Sequence, residues 1–264
     1  YLFNFIMGLF TSLNTEFQIP SNLNHQELYD LAKTMFNENK HDISLQLFHK
    51  SADMGNLSAQ LELGAYYDKL QKDSETAFKF YQLAAQQDNF IGLLWLALYL
   101  NNPNNIHYDP KLSLQHLLDI ESKGFQDVGL YISQYYKEGI GTEINLPLSK
   151  KYLENTAKAG VIDAQFYYGL SLLQGTFDTI NISKALDWFQ IAASNGQIDA
   201  IAQLGLMLIH GIGVQQDIDM GVKALVLSSQ QGNSTAQKVL LDFGFDYQKI
   251  EILSDVEIKF KKLA

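Results

Sequence analysis

The chain has 264 residues, a formal charge of −10, nineteen lysines with no arginine, and no cysteine. The charge argues against a nucleic-acid surface, because phosphate contacts need clustered Lys or Arg. The missing cysteine excludes disulfides and thiolate metal sites and leaves the redox compartment open.

The chain starts with an apolar run, YLFNFIMGLF. Ten residues fall short of the about 20 needed to span a bilayer. Two readings stand for residues 1–23: a helix capping the first repeat, or the remnant of a signal peptide. Against the second, Asn4 interrupts the run and no small-x-small cleavage site precedes Pro20. Localisation follows the choice: bacterial cytoplasm, or periplasm and secretion if residues 1–13 are a signal remnant.

Residues 24–40 (NHQELYDLAKTMFNENK) read as the first helix of a divergent repeat. From there the chain carries a ruler. Gly55 and Asp88 stand 33 residues apart, and Gly124, Gly160, Gly196 and Gly232 follow at steps of 36. Shortly before the marks stand small pairs, Ser51-Ala52, Ala84-Ala85, Thr156-Ala157, Ala192-Ala193 and Ser228-Ser229. Nine residues after them stand Gly64, Ala97, Ser133, Gly169 and Gly205. A fixed period of a few tens of residues is the signature of a repeat array.

Each unit reads as two helices. In residues 163–174 (DAQFYYGLSLLQ), Ala164, Tyr168 and Leu172 form an i, i+4, i+8 stripe. Asp163, with Asp127 and Asp199 one period away, suits a helix start. A glycine breaker follows (Gly175, matched by Gly139-Ile140-Gly141 and Gly211-Ile212-Gly213), then a second helix over 183–195. The marker glycine falls just past it, at the left-handed C-terminal position. Gly169 and Gly205 each give up about 1 kcal/mol of helix propensity, which implies a tight crossing against the small pair of the partner helix. Leu is not expected to fit there, while Ala is expected to be tolerated. The units then run over 24–55, 56–88, 89–124, 125–160, 161–196 and 197–232. Residues 233–264 form a C-terminal cap whose last element is an amphipathic helix over 254–263.

The motifs T-A-K-A-G-V-I-D-A-Q-F-Y-Y-G (156–169) and A-A-S-N-G-Q-I-D-A-I-A-Q-L-G (192–205) resemble the Sel-one-like repeat family, a branch of the tetratricopeptide-like superfamily. The resemblance covers about residues 41–232. It implies an all-α fold, a right-handed α/α solenoid of helix-pair repeats, and an adaptor that binds partners. Two units depart from the pattern. The one ending at Asp88 is three residues short, and the next has Asn101-Asn102-Pro103-Asn104-Asn105 in place of Gly-x-Gly. Both predict irregular loops and low local stability.

No chemistry stands out. The six histidines show no ligand spacing, and no nucleophile elbow, phosphate loop or dinucleotide fingerprint occurs. No catalytic, cofactor or metal residue is assigned. The sequons at Asn56, Asn181 and Asn233 read as turn and capping residues. His210, before Gly211, reads as a helix C-terminal cation.

Aromatics not needed for the core stripe fall on one row of the first helices: Glu62, Trp95, Tyr131, Tyr167 and Gln203. Further rows carry Gln134, then Glu138, Gln174 and His210. The resemblance places these rows on a concave face, where Tyr and Trp suit peptide capture. The alternative is that Trp95, Tyr131 and Tyr167 pack as core between neighbouring first helices. The function read is a non-enzymatic scaffold for a protein or peptide, with no nucleic acid, no membrane insertion by the repeats and the oligomeric state open. Two alternatives stand beside it. One is hydrolysis of β-lactams, suggested by cysteine-rich relatives whose cysteines are absent here. The other is a purely structural module of a larger assembly.

Overall fold

The computed structural model describes residues 18–87 and 89–244. The segment 1–13, the mark at Asp88 and the helix expected over 254–263 lie outside the described residues. Two compact units divide the chain after Phe125. The first holds α1 (His25–Asn37), α2 (His41–Asp53), α3 (Leu57–Tyr66), α4 (Ser74–Ala85), α5 (Phe90–Leu100) and α6 (Pro110–Ser122). The second holds α7 (Gly129–Glu138), α8 (Leu146–Lys158), α9 (Ile162–Gln174), α10 (Ile182–Ser194), α11 (Ile198–His210), α12 (Ile218–Gln230) and α13 (Ser234–Asp242). Among the described residues there is no strand. Within each unit, consecutive helices pack on one another.

The helices start where the residues dictate. Asp73, Asp109, Asn145, Asn181 and Asp217 are the N-caps of α4, α6, α8, α10 and α12, each accepting from the backbone N–H three residues on. Such a cap contributes about 1 kcal/mol. The caps are spaced 36 residues apart without exception. Each also ties its loop down through its own N–H. Asp109 donates to Leu100 O (2.9 Å), Asn145 to Tyr136 O (2.7 Å), Asn181 to Leu172 O (2.9 Å) and Asp217 to Leu208 O (3.0 Å). The short unit keeps this register by a shorter tie, from Asp73 to Tyr67 O (2.9 Å). It closes through a π-helical turn, Tyr67–Gln71, and Lys72 in the left-handed region (φ 53°). Three missing residues are thus absorbed in one loop.

The loop after α5 is less irregular than its sequence suggests. It keeps the same tie as the regular units, and buried Asn105 donates its amide to Tyr99 O while its carbonyl accepts from His107 N–H at 2.8 Å. All three sequon asparagines are N-caps: Asn56 on α3, Asn181 on α10 and Asn233 on α13. At the helix ends, Gly55, Gly124, Gly160, Gly196 and Gly232 have φ between 85° and 98°, and a Cβ added to any of them would meet nothing within 4 Å. Backbone conformation alone therefore demands glycine there.

Each helix pair crosses on small residues. Ser44 donates to Ala32 O (2.8 Å) and Ser113 to Ala97 O (2.6 Å). Further along, Gly169 crosses at Ala185 and Phe189, and Gly205 at Gly221. The sequence pairs these glycines with the small residues near the second helix's end, and the structure corrects this. Those pairs lie beside the first-helix starts instead: Ser51 donates to His25 O (2.5 Å) and Ser228 to Ile198 O (3.0 Å). Alanine, expected to be tolerated, would meet a close contact at each of these glycines. A Cβ on Gly205 would sit 2.9 Å from Gly221 O, and one on Gly169 would sit 3.0 Å from the buried Phe189 ring.

The core is a chain of clusters. Leu28, Leu47, Leu63 and Phe80 pack together in the first unit, and Phe189, Leu204 and Met207 in the second. Burying such side chains contributes about 1.5–3 kcal/mol each. Where two repeats meet, glutamines add a second donor to helix-end carbonyls: Gln60 donates to Ala52 O (3.1 Å) and Gln237 to Ser229 O (2.9 Å). The second residue of the A-Q motif thus donates to a terminal carbonyl of the preceding helix.

Candidate functional site

The stripe of first-helix residues left uncovered by packing is the candidate site. Its aromatics are solvent-exposed: Trp95 is 39% accessible, Tyr131 38% and Tyr167 47%. In this they differ from core aromatics such as Tyr81 and Phe189, which are 2% or less accessible. Glu62, Gln134, Glu138, Gln174 and His210 are exposed as well, and Gln203 is half-buried.

In the first unit, Trp95 on α5 lies parallel to the buried Tyr81 ring, their centroids 6.4 Å apart. Glu62 on α3 is crowded by protein atoms, which raises its carboxyl above the ordinary range, while Lys33 opposes the shift.

In the second unit, α7, α9 and α11 each present an i, i+4, i+7, i+11 stripe. On α9 it reads Asp163, Tyr167, Leu170, Gln174, and on α11 Asp199, Gln203, Leu206, His210. Asp127, in the 3-10 turn Gln126–Val128, leads the matching stripe Tyr131, Gln134, Glu138 on α7. Tyr167 meets Phe166 edge-on at 5.3 Å, and Gln134 donates to Glu138 at 3.3 Å. The structure therefore gathers Tyr131, Gln134, Glu138, Tyr167, Gln174, Gln203 and His210 on the first helices of the second unit. Glu62 and Trp95 belong to the first unit.

Two features of this surface are additions to the residues read from the sequence. The three aspartates, taken there as helix-start residues, line an open cavity of about 630 Å³ with the turns at Gly160 and Gly196. A separate exposed row, Leu146 at 40%, Ile182 at 37% and Ile218 at 57%, opens α8, α10 and α12. Both were legible as residues recurring at one phase of the repeat. Among the described residues no group of His, Cys, Asp or Glu is arranged to hold a metal. No described helix is long and apolar enough to cross a membrane.

The Sel1 repeat model matches the chain five times, over residues 38–56, 57–89, 128–161, 162–197 and 198–233. Among solved structures, a Sel1 repeat protein from Oxalobacter formigenes is similar at 26% identity and a TM-score of 0.70, over 84% of this chain and 66% of that one. A protective antigen present in uropathogenic Escherichia coli strains, displaying an SLR fold, is similar at 22% identity and a TM-score of 0.59, over 90% of this chain and 52% of that one. The chain thus spans about two thirds of the first protein and about half of the second. These likenesses establish the all-α repeat solenoid as the fold class. No curated protein matches the chain.

Proposed function

Because this chain belongs to the Sel1 repeat family, we propose that it is a non-enzymatic scaffold that holds a protein or peptide along the exposed stripe of its first helices. Members of the family commonly serve as protein–protein interaction scaffolds. The observation that carries the finer reading is the exposure of Trp95, Tyr131 and Tyr167 at one phase of the repeat. Burying them on folding would contribute stability, yet they stand open, and Tyr and Trp are the side chains enriched at binding hot spots. The polar neighbours Gln134, Glu138, Gln174, Gln203 and His210 supply hydrogen-bonding groups around them.

The hydrolytic alternative has no observation in its favour, and a generic β-lactam turnover assay tests it directly. The binding reading is tested by placing a photo-crosslinking residue at position 131 or 167, and at position 187 on α10 as a control. Expected is one polypeptide captured from both stripe positions and not from the control, with capture lost when the remaining tyrosine becomes Ala. Equal capture at all three positions, or none, overturns it. The tyrosine variants should melt within about 1 kcal/mol of the parent, because both side chains are exposed.

A further inference from the structure

Building on the binding reading above, we infer that the second unit's stripe takes a cationic partner segment, one bearing lysine or arginine side chains. The lysines of this unit are concentrated on its second helices. Helices α9 and α11 carry no lysine, and Lys137 on α7 lies one position off the exposed stripe. The other lysines of the paired helices stand on second helices, where Lys150 pairs with Asp178, Lys158 with Glu154 and Lys223 with Asp219. Asp127, Asp163 and Asp199 are exposed, and none of the ion pairs among the described residues reaches them.

Geometry makes the three carboxylates one feature. Each is the first residue of its stripe, directly before Tyr131, Tyr167 or Gln203 one helical turn on. All three line the same open cavity of about 630 Å³. Asp163 and Asp199 lie so close that the Gln197 side-chain amide donates to both, at 3.3 Å each. The Asn233 amide donates to Asp199 as well, at 2.6 Å. Neutral amides bridging carboxylates leave their charge uncompensated. An ammonium or guanidinium group entering the cavity would supply the missing charge and accept the same geometry. Its alkyl stem, and the apolar residues beside it, would lie on the tyrosines. An acidic segment would meet like charge along the whole edge.

The experiment uses the full chain and three fluorescein-labelled twelve-residue peptides of one leucine and tyrosine pattern, their remaining positions lysine, glutamine or glutamate. Anisotropy should show the lysine peptide binding at least tenfold tighter than the glutamine one and the glutamate peptide not binding, with the preference shrinking steeply from 50 to 300 mM salt. Asp127→Asn, Asp163→Asn and Asp199→Asn together should remove at least tenfold of the lysine peptide's affinity. Asn keeps the carbonyl that Gln197 donates to, and an unchanged melting temperature certifies the fold. A charge-matched control, Glu143→Gln with Asp187→Asn and Asp242→Asn, should change little. Three outcomes overturn the inference: equal affinity for the three peptides, a loss no larger than the control's, or no binding by any peptide. Equal affinity that still falls with Tyr131→Ala and Tyr167→Ala leaves the stripe as a binding face and removes only its charge preference. Lysine-peptide binding that ignores both tyrosine variants sinks the face itself.

Discussion

Ser133 and Ser149 exchange hydrogen bonds across the α7–α8 crossing. Each hydroxyl lies 2.8 Å from the other residue's carbonyl, and the two hydroxyls are 3.0 Å apart. Both residues are buried, so no water replaces a lost partner. Neighbouring repeats solve the same crossing with Gly169 on Ala185 and Gly205 near Gly221, without hydroxyls. Either Ser→Ala change should therefore cost about 0.5–1.5 kcal/mol. The double change should cost less than the sum, because each single change already removes the 3.0 Å contact between the two hydroxyls, which the double change loses only once. A urea-melting double-mutant cycle reads this, and strict additivity would show that the two side chains act independently.

Closest approach sets the next expectation. Gly205→Ala should destabilise by about 1–3 kcal/mol, because its Cβ would meet the Gly221 carbonyl at 2.9 Å and backbone cannot swing aside as a side chain can. Gly169→Ala meets a ring at 3.0 Å, which can yield slightly, and should cost less. Thermal melting ranks them. A Gly205→Ala protein as stable as its parent would mean that the α11–α12 crossing opens freely.

Cap chemistry predicts a substitution that is tolerated beside one that is not. Asn181→Ala removes the acceptor for Lys184 N–H (3.0 Å) and should cost about 1 kcal/mol. Asn181→Asp should be neutral within about 0.5 kcal/mol, since Asp occupies the same register at positions 73, 109 and 217 and suits a helix N-terminus. Equal losses for the two variants would remove the capping role.

These cases mark what is legible in the chain. Gly160 and Gly196 announce their role because a left-handed helix end tolerates little else. The Asp and Asn caps at steps of 36 were equally open to reading, since short polar side chains before an amphipathic run mark a helix start. The contact of Gly205 with Gly221 was not, because it depends on how closely two backbones cross. For Trp95 and Tyr167, helical phase leaves exposed stripe and inter-helix core as rivals, and only packing separates them. The cavity between Asp163 and Asp199 arises from repeats stacking, which no single repeat encodes.

Acid should loosen the first unit through two histidines. Burial holds the His49 and His116 imidazoles below their ordinary value, against the opposing pull of Asp53 and of Asp119 and Asp109. As pH falls below about 6.5 the unfolded chain takes up these protons before the folded one, so stability declines through that window down to the folded value. Glu62 and Asp68, whose carboxyls are raised by burial, pull the other way. The contribution is therefore read by difference. Between pH 7.5 and 5.5 the parent's melting temperature should fall more than that of a His49→Gln, His116→Gln variant, and parallel curves would dismiss the histidines.

The order in which the array opens follows from how each loop is held. The regular loops at 139–145 and 211–217 place glycine at their left-handed positions, Gly139 and Gly141, Gly211 and Gly213. The short loop puts Lys72 there instead, at a cost of about 1 kcal/mol, and leaves its π-turn with no buried residue. The loop at 101–109 also lacks glycine, yet Asn105 anchors it to Tyr99 and the His107 ring stacks on Phe78 at 4.0 Å. Sequence alone ranks the two departing loops together as weak, whereas these contacts separate them. Amide exchange should therefore run fastest over 66–76, slower over 100–112, and slowest over 138–148 and 210–220. Lys72→Gly should slow exchange over 66–76 by relieving the backbone, offset in part by glycine's greater unfolded freedom. Exchange over 100–112 as fast as over 66–76 would show that Asn105 and His107 do not hold their loop, and a Lys72→Gly protein that opens faster would place the weakness outside that turn.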